Sequence, residues 1–285
     1  MCGIISYFST ETKYSANMER LIKNMIMVDT LRGWHSTGLI YEANGEVEYI
    51  KKAVNGADFI QLDAPSAIIA KHHATRYLVG HNRAATLGEV KSSNAHPFQY
   101  DHITGVHNGT LSNHRSLGGE HHTVDSAMLY SAFANKGAAD VLPRVNGDFN
   151  LIWHDNTDDT IHMVRNPGRP YTFAKIKGQN TIIGASEKGM LKWLVKRHGF
   201  EIQFCWDPIE YTEYVFDFEK QDGLTKPEMI KHERYVAPVV AHRLPKQKDL
   251  NGSGLKAVDV AQSNQLEFFL DSHSRSYSAA ISYYG

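Results

Sequence analysis

Disulfides are the first thing this chain cannot have in number: its 285 residues include two cysteines, Cys2 and Cys205. A cross-linked secreted scaffold is excluded, and a reducing, cytoplasmic setting is expected. Long apolar runs are missing too. None approaches the ~20 residues that span a bilayer, and the N-terminus lacks the basic and extended apolar regions of an export signal, so no membrane association is expected. Net charge is only −1, with both signs mixed along the chain, which leaves no electrostatic footprint for nucleic acid. Histidines crowd the stretch from His72 to His122, yet no HExxH or Cys/His finger spacing occurs, and neither metal nor cofactor is expected. No internal repeat is visible. What is present is 42% hydrophobic residues, ample for a sizeable core.

Periodicity gives the local structure. GIISYF (3–8) reads as a strand, and Met18, Leu21, Ile22, Met25 and Ile26 then recur at helical spacing, ending near Gly33. Asn44-Gly45 between two β-rich runs is a hairpin turn. YLVGHNRAA, ITGVHNG, GDFNLIWHD, TIHMVRN and NTIIGAS read as further strands. Asp125 is expected to cap a helix running through Met128, Leu129, Ala132 and Phe133, and MLKWLVKRHG a short helix closed by Gly199. Pro167, Gly168 and Pro170 mark turns. Hairpins rather than βαβ alternation predict an α+β fold with antiparallel sheets covered by helices. Residues 1–235 are expected to form one domain. The remainder, 236–285, opens with a polar, turn-rich linker and ends in an aromatic, Ser-rich tail without periodicity, either packing back or serving as a docking segment for a partner.

The opening MCGI raises a chemical question. Removal of an initiator Met before a small residue would place a thiol and a free α-amine on Cys2, and an amine with a pKa of about 7.7–8.0 can take a proton near neutral pH. Cys2 would then be nucleophile and base in one residue. A small buried residue at the start of a strand is the alternative.

Several segments, in order, resemble the glutaminase domain of class II glutamine amidotransferases, the N-terminal-nucleophile group that includes glucosamine-6-phosphate synthase and glutamine phosphoribosyl-pyrophosphate amidotransferase. MCGI matches their mature start, and LRGWHSTGLI their RGxDSxG element, which contains Arg32, Gly33, Ser36 and Gly38. GHNRAATLGEV resembles GHxRWATHG. NAHPF and VHNG resemble the substrate-loop and oxyanion segments, HTVDSAML a short helix start, and ASEKGML an ASE-like segment. The likeness covers roughly the first 200–235 residues, and its strength is the ordered set.

The resemblance implies an N-terminal-nucleophile four-layer sandwich, two antiparallel sheets between helical layers. It also implies roles: Cys2 as nucleophile, Asn108 and Gly109 as oxyanion donors, Arg83 on the substrate α-carboxylate, Asp125 on its α-ammonium, with Thr86 and His96 in the substrate loops. A planar guanidinium suits a carboxylate as a Lys cannot. Two departures stand out. His35 replaces the usual Asp, so an internal ion pair near Arg32 is expected to be lost or replaced, and Ala84 replaces an aromatic that helps gate an ammonia channel.

Three readings follow. The first is a glutaminase subunit that hydrolyses L-glutamine and hands ammonia to a synthase or transferase on another chain, since only about 50 residues follow the domain and full domains are larger. The second is an amidase of the same fold acting on another γ-glutamyl or linear amide. The third is a non-catalytic scaffold or assembly subunit. Self-association is left open.

Overall fold

The computed structural model describes residues 1–11, 15–43, 45–70, 76–220 and 222–234. Asn44, the histidine pair His72-His73 and the whole 236–285 tail lie outside the described residues. The chain order begins β1 (Gly3–Ser9), α1 (Ala16–Asp29), β2 (Ser36–Ala43), β3 (Glu46–Lys52), α2 (Gly56–Phe59), α3 (Asp63–Ala70) and β4 (Tyr77–Arg83). It continues with β5 (Phe98–Tyr100), β6 (Ile103–Leu111), α4 (Asp125–Lys136), α5 (Ala138–Val141), β7 (Gly147–Asp155) and β8 (Thr160–Arg165). Last come β9 (Thr172–Ile176), β10 (Thr181–Ala185), α6 (Lys188–Arg197), β11 (Ile202–Trp206), β12 (Thr212–Phe216) and β13 (Glu228–Lys231).

Two antiparallel sheets result, ordered β11-β9-β10-β1-β4-β2-β3 and β13-β12-β8-β7-β6-β5. The period-2 alternation of strand side chains explains how they stack. On β1, Ile4 and Phe8 point into a cluster shared with Val106, Ile152 and Met163 of the other sheet, whereas Ile5 and Tyr7 pack on Leu21, Ile22 and Met25 of α1 and Leu191 and Leu194 of α6. The second sheet turns Leu151 and Trp153 outward onto Leu129, Tyr130 and Phe133 of α4. This is the expected α+β sandwich, helices outside and two sheets within.

Ser15 caps α1 through its hydroxyl, which accepts the Met18 N–H at 3.3 Å. Gly199 closes α6 at positive φ and donates its N–H to Lys196 O over 3.1 Å. One expectation needs correction: Val124 holds the cap position of α4, and Asp125 is its first helical residue. The Asp125 carboxylate is aimed sideways instead, accepting the N–H groups of Leu111 (2.8 Å) and Ser126 (2.9 Å).

The edge of the second sheet is closed by a buried carboxylate. Glu213 on β12 accepts from His162 Nδ1 on β8 and from His232 Nε2 just beyond β13, both at 2.6 Å. Burial alone would raise its pKa, yet the two imidazoles hold it down to about 2. A carboxyl depressed from its ordinary 4.5 contributes stability that is complete above that value and is lost as pH falls through it toward about 2. Glu213→Gln is therefore expected to cost about 2 kcal/mol or more at pH 7 and to flatten the acid limb of a urea-unfolding series.

Candidate active site

Strand β1 runs between β4 and β10, pairing Gly3 with Asn82 and Ile5 with Ala185. Its first residues are thereby fixed from both sides. Cys2, two residues ahead of the inward-facing Ile4, stands beside the end of β4, where the Ala84 N–H donates to its Sγ at 3.3 Å and the thiol reaches the Ala84 carbonyl at 3.5 Å. Burial pushes the Cys2 thiol up; the Ala84 N–H, the amino terminus and Arg83 pull it down by less, while Asp125 raises it further. The thiol consequently holds its proton near pH 7, so nucleophilic use requires a base alongside.

Arg83, Asp125, Asn108 and Gly109 gather at this same end of the sandwich. Arg83 is 3% exposed, and its guanidinium donates to the carbonyls of Leu87 and Glu89 in the loop 84–97, the latter at 3.3 Å. It is no surface ion pair. Its charge and that of Asp125 both act on the Cys2 thiol. Asn108 is buried on β6, and its Nδ2 points to Ser186 Oγ at 3.4 Å. Gly109 packs so closely on the Asp148 carbonyl of β7 that any Cβ there would overlap it.

Thr86 lies exposed on the loop 84–97. His96 is placed in the interior instead: its ring stands 3.9 Å, centroid to centroid, from His81 and 4.9 Å from Phe98. Neither of its nitrogens has a protein partner, and burial holds it well below the ordinary histidine value. The RGxDSxG-like element is a scaffold. Gly33 admits the Asn82 carbonyl and Gly38 that of His96, where a Cβ would clash; Ser36 is buried opposite Arg83. Arg32 donates from Nε to the Cys2 carbonyl (3.1 Å) and pairs with Glu187 (3.1 Å). The His35 substitution is thus accommodated by two changes: Glu187 supplies the acid for Arg32, and His35 Nδ1 accepts the Ala85 N–H at 2.8 Å.

Two neighbours escaped the sequence reading. Ser186 lies in the ASE-like segment, which was noticed without a role. Its hydroxyl accepts the Ile4 N–H at 3.0 Å and sits within reach of Asn108, while its own N–H donates to Ile4 O at 2.9 Å. Asp29 is buried under Gly3; the signal was its place on the apolar stripe of α1, three residues after Ile26 and four after Met25. Two hollows adjoin the site. One, of about 260 Å³, is walled by Met1, Leu31, Trp34 and Ala84. The other, of about 300 Å³, lies along the NPGRP segment against Asp148, Tyr211 and Arg234. Among the described residues, Asp155, Asp158 and His162 can bring one ligand atom each within 4.8 Å of one another, but Thr157 and Thr160 already donate to those carboxylates.

A thiol at the head of a strand, inside two antiparallel sheets flanked by helices, defines the N-terminal-nucleophile hydrolase class. Residues 67–220, more than half of the chain, match the profile of the family described as "Glutamine amidotransferase domain", and the chain belongs to that family, with a class II domain. It is 27% identical over 194 residues to a glutamine–fructose-6-phosphate aminotransferase of Staphylococcus aureus, covering 58% of this chain and 29% of that protein. With the Pectobacterium atrosepticum enzyme of the same description it shares 25% over 219 residues, 70% of this chain and 34% of that one. The chain thus spans about a third or less of these relatives. The fold is similar to glutamine phosphoribosylpyrophosphate amidotransferase from B. subtilis (TM-score 0.58, 14% identity, 81% of this chain and 49% of that). It is also similar to a structure described as the allosteric regulatory enzyme of purine biosynthesis (TM-score 0.60, 16% identity, 81% and 49%). No described helix is long and apolar enough to cross a membrane.

Ser186→Ala removes the partner of Ile4 N–H and of Asn108 Nδ2 together. The expected loss is about 1–3 kcal/mol, the cost of stranding buried polar groups, read as a lower urea midpoint at unchanged m-value.

Proposed function

We propose that the domain hydrolyses L-glutamine through a thioester on Cys2 and passes the released ammonia to an acceptor synthase or transferase. The observation that carries this reading is the meeting of the Cys2 thiol with a buried guanidinium, Arg83, and a buried carboxylate, Asp125, in an N-terminal-nucleophile sandwich. That pair of opposite charges suits a free amino acid better than an internal amide, which ranks L-glutamine ahead of another γ-glutamyl or linear amide. A retained scaffold would have no use for it.

The chemistry follows from these groups. Once Met1 is removed, the α-amine of Cys2 takes the thiol proton as sulfur attacks the amide carbon. The carbonyl oxygen becomes an oxyanion, received by Asn108 Nδ2 and the Gly109 N–H. The ammonium returns its proton to the departing nitrogen, the C–N bond breaks and ammonia leaves. Water then attacks the γ-glutamyl thioester, freeing glutamate and the thiol. Binding the α-carboxylate requires Arg83 to trade the Leu87 and Glu89 carbonyls for a charge-assisted, bidentate partner, so the loop 84–97 must shift as glutamine enters.

Delivery to an acceptor is favoured by the apolar hollow beside the thiol. Leu31 is 90% and Trp34 70% exposed there, surface of the kind that partner proteins cover. Both cysteines are free, in keeping with a cytoplasmic setting.

The experiment is a glutamate-release assay on protein whose intact mass shows loss of Met1. Cys2→Ala should abolish release, and Asn108→Ala should lower kcat by about 10²–10³. Arg83→Lys should chiefly raise KM, because a point charge cannot fix the plane of the carboxylate. L-asparagine should be a poor substrate. Wild-type rates in Cys2→Ala would end the proposal.

A further inference from the structure

Asp29 is an anomaly of packing. It closes the apolar stripe of α1, is 1% exposed, and presses its carboxyl against the Cα of Gly3, where a Cβ would overlap it. Its Oδ2 accepts from Asn82 Nδ2 at 3.1 Å, and Asn82 is itself pinned, donating to Ile26 O (2.8 Å) and accepting from Thr37 Oγ1 (2.8 Å). Its Oδ1 has no hydrogen-bond partner in the protein. A buried carboxyl with an unmet oxygen is costly, and an apolar side chain on this stripe would avoid the cost.

The surroundings show where the carboxyl acts. Asn82 pairs with Gly3 across β1 and β4, so Asp29 grips the nucleophile's strand from beneath at the residue after Cys2. Arg32, one helical turn further on, feels the Asp29 charge and donates from Nε to the Cys2 carbonyl at 3.1 Å, its other end on Glu187. Cys2 is thus held through both neighbours of this one carboxyl.

We propose that Asp29 is a positioning residue for the nucleophile, acting through Gly3, Asn82 and Arg32 to set where the main chain of Cys2 stands. The ionised form draws Arg32 toward the Cys2 carbonyl and is the competent one. Burial raises the Asp29 carboxyl to about 7, the Asn82 hydrogen bond and Arg32 lowering it by less and Glu187 raising it again. The other ionisable group that senses Asp29 is the Tyr171 hydroxyl. A carboxyl raised in the folded state gives stability that is present below its ordinary 3.8 and is lost as pH rises toward about 7. Positioning is therefore maintained at the expense of stability above neutrality.

The inference rests on the glutaminase reading only for its kinetic arm, and the test separates the two. Asp29→Asn and Asp29→Leu are compared with wild type in glutamate release and in the pH profile of Cys2 alkylation by iodoacetamide, followed by intact mass; melting is recorded at pH 6 and 8. Expected for Asp29→Asn is a fall of about tenfold in kcat with KM within about twofold, as for a slightly misplaced reacting group, together with loss of the alkylation inflection near 7. Asp29→Leu should melt higher than wild type at pH 8 while losing kcat equally. An unmoved kcat in a folded variant, or an unmoved alkylation profile, overturns the proposal. Should wild type fail to release glutamate, the function reading falls and the alkylation profile alone judges Asp29.

Discussion

The pairing of β1 on both edges is the constraint on which the rest depends. A chain terminus is ordinarily the least ordered part of a domain, yet here it must place a sulfur atom to within a fraction of an ångström. Centring the first strand in a seven-stranded sheet solves the problem. The ladders to β4 and β10 fix its register, Ser186 holds Ile4 from one side, and Arg32 takes the Cys2 carbonyl from the other. Loops then need only bring donors to the thiol, as Ala84 does.

Around that strand end the interior changes character. Farther along, the sheets meet through Phe8, Phe173 and Phe216, a close-packed apolar interior. Toward Cys2 the same space holds His81, His96, Asn108 and Asn150, several with buried atoms that no protein group satisfies. Burial holds His81 down to about 3, so this stack stays uncharged near neutrality. A domain selected for stability alone would fill the region with aliphatic side chains. Polar groups concentrated at one end of a sandwich mark where function has overridden packing.

The loop 84–97 joins the two regimes. Its carbonyls occupy the Arg83 guanidinium, Lys51 donates to its Ala95 and Pro97 carbonyls at 3.0 and 2.7 Å, and His35 holds its beginning at Ala85. Anchored at both ends and bonded to the arginine in between, it has a discrete alternative: when a carboxylate takes Arg83, the Leu87 and Glu89 carbonyls are released together. Binding and loop movement are then one event.

Much of this was legible in residue order. Alternation along GIISYF, YLVGHNR and GDFNLIWHD, and the stripe of α1, determine strands and helix because one face of each must be apolar; MCGI with the ordered motifs determines the family. Short elements such as TFAKI and TEYVF passed unread, since five residues carry too little periodicity to separate strand from loop. The polar contacts belong to tertiary structure alone. That Glu187 replaces the lost acid beside Arg32, that His96 turns inward to His81, that Ser186 joins Ile4 to Asn108, and that Asp29 lies beneath Gly3 are facts about residues up to 182 positions apart. Sequence specifies which groups must find partners; only folding, by bringing β1, β4 and β10 side by side, decides which partners they find.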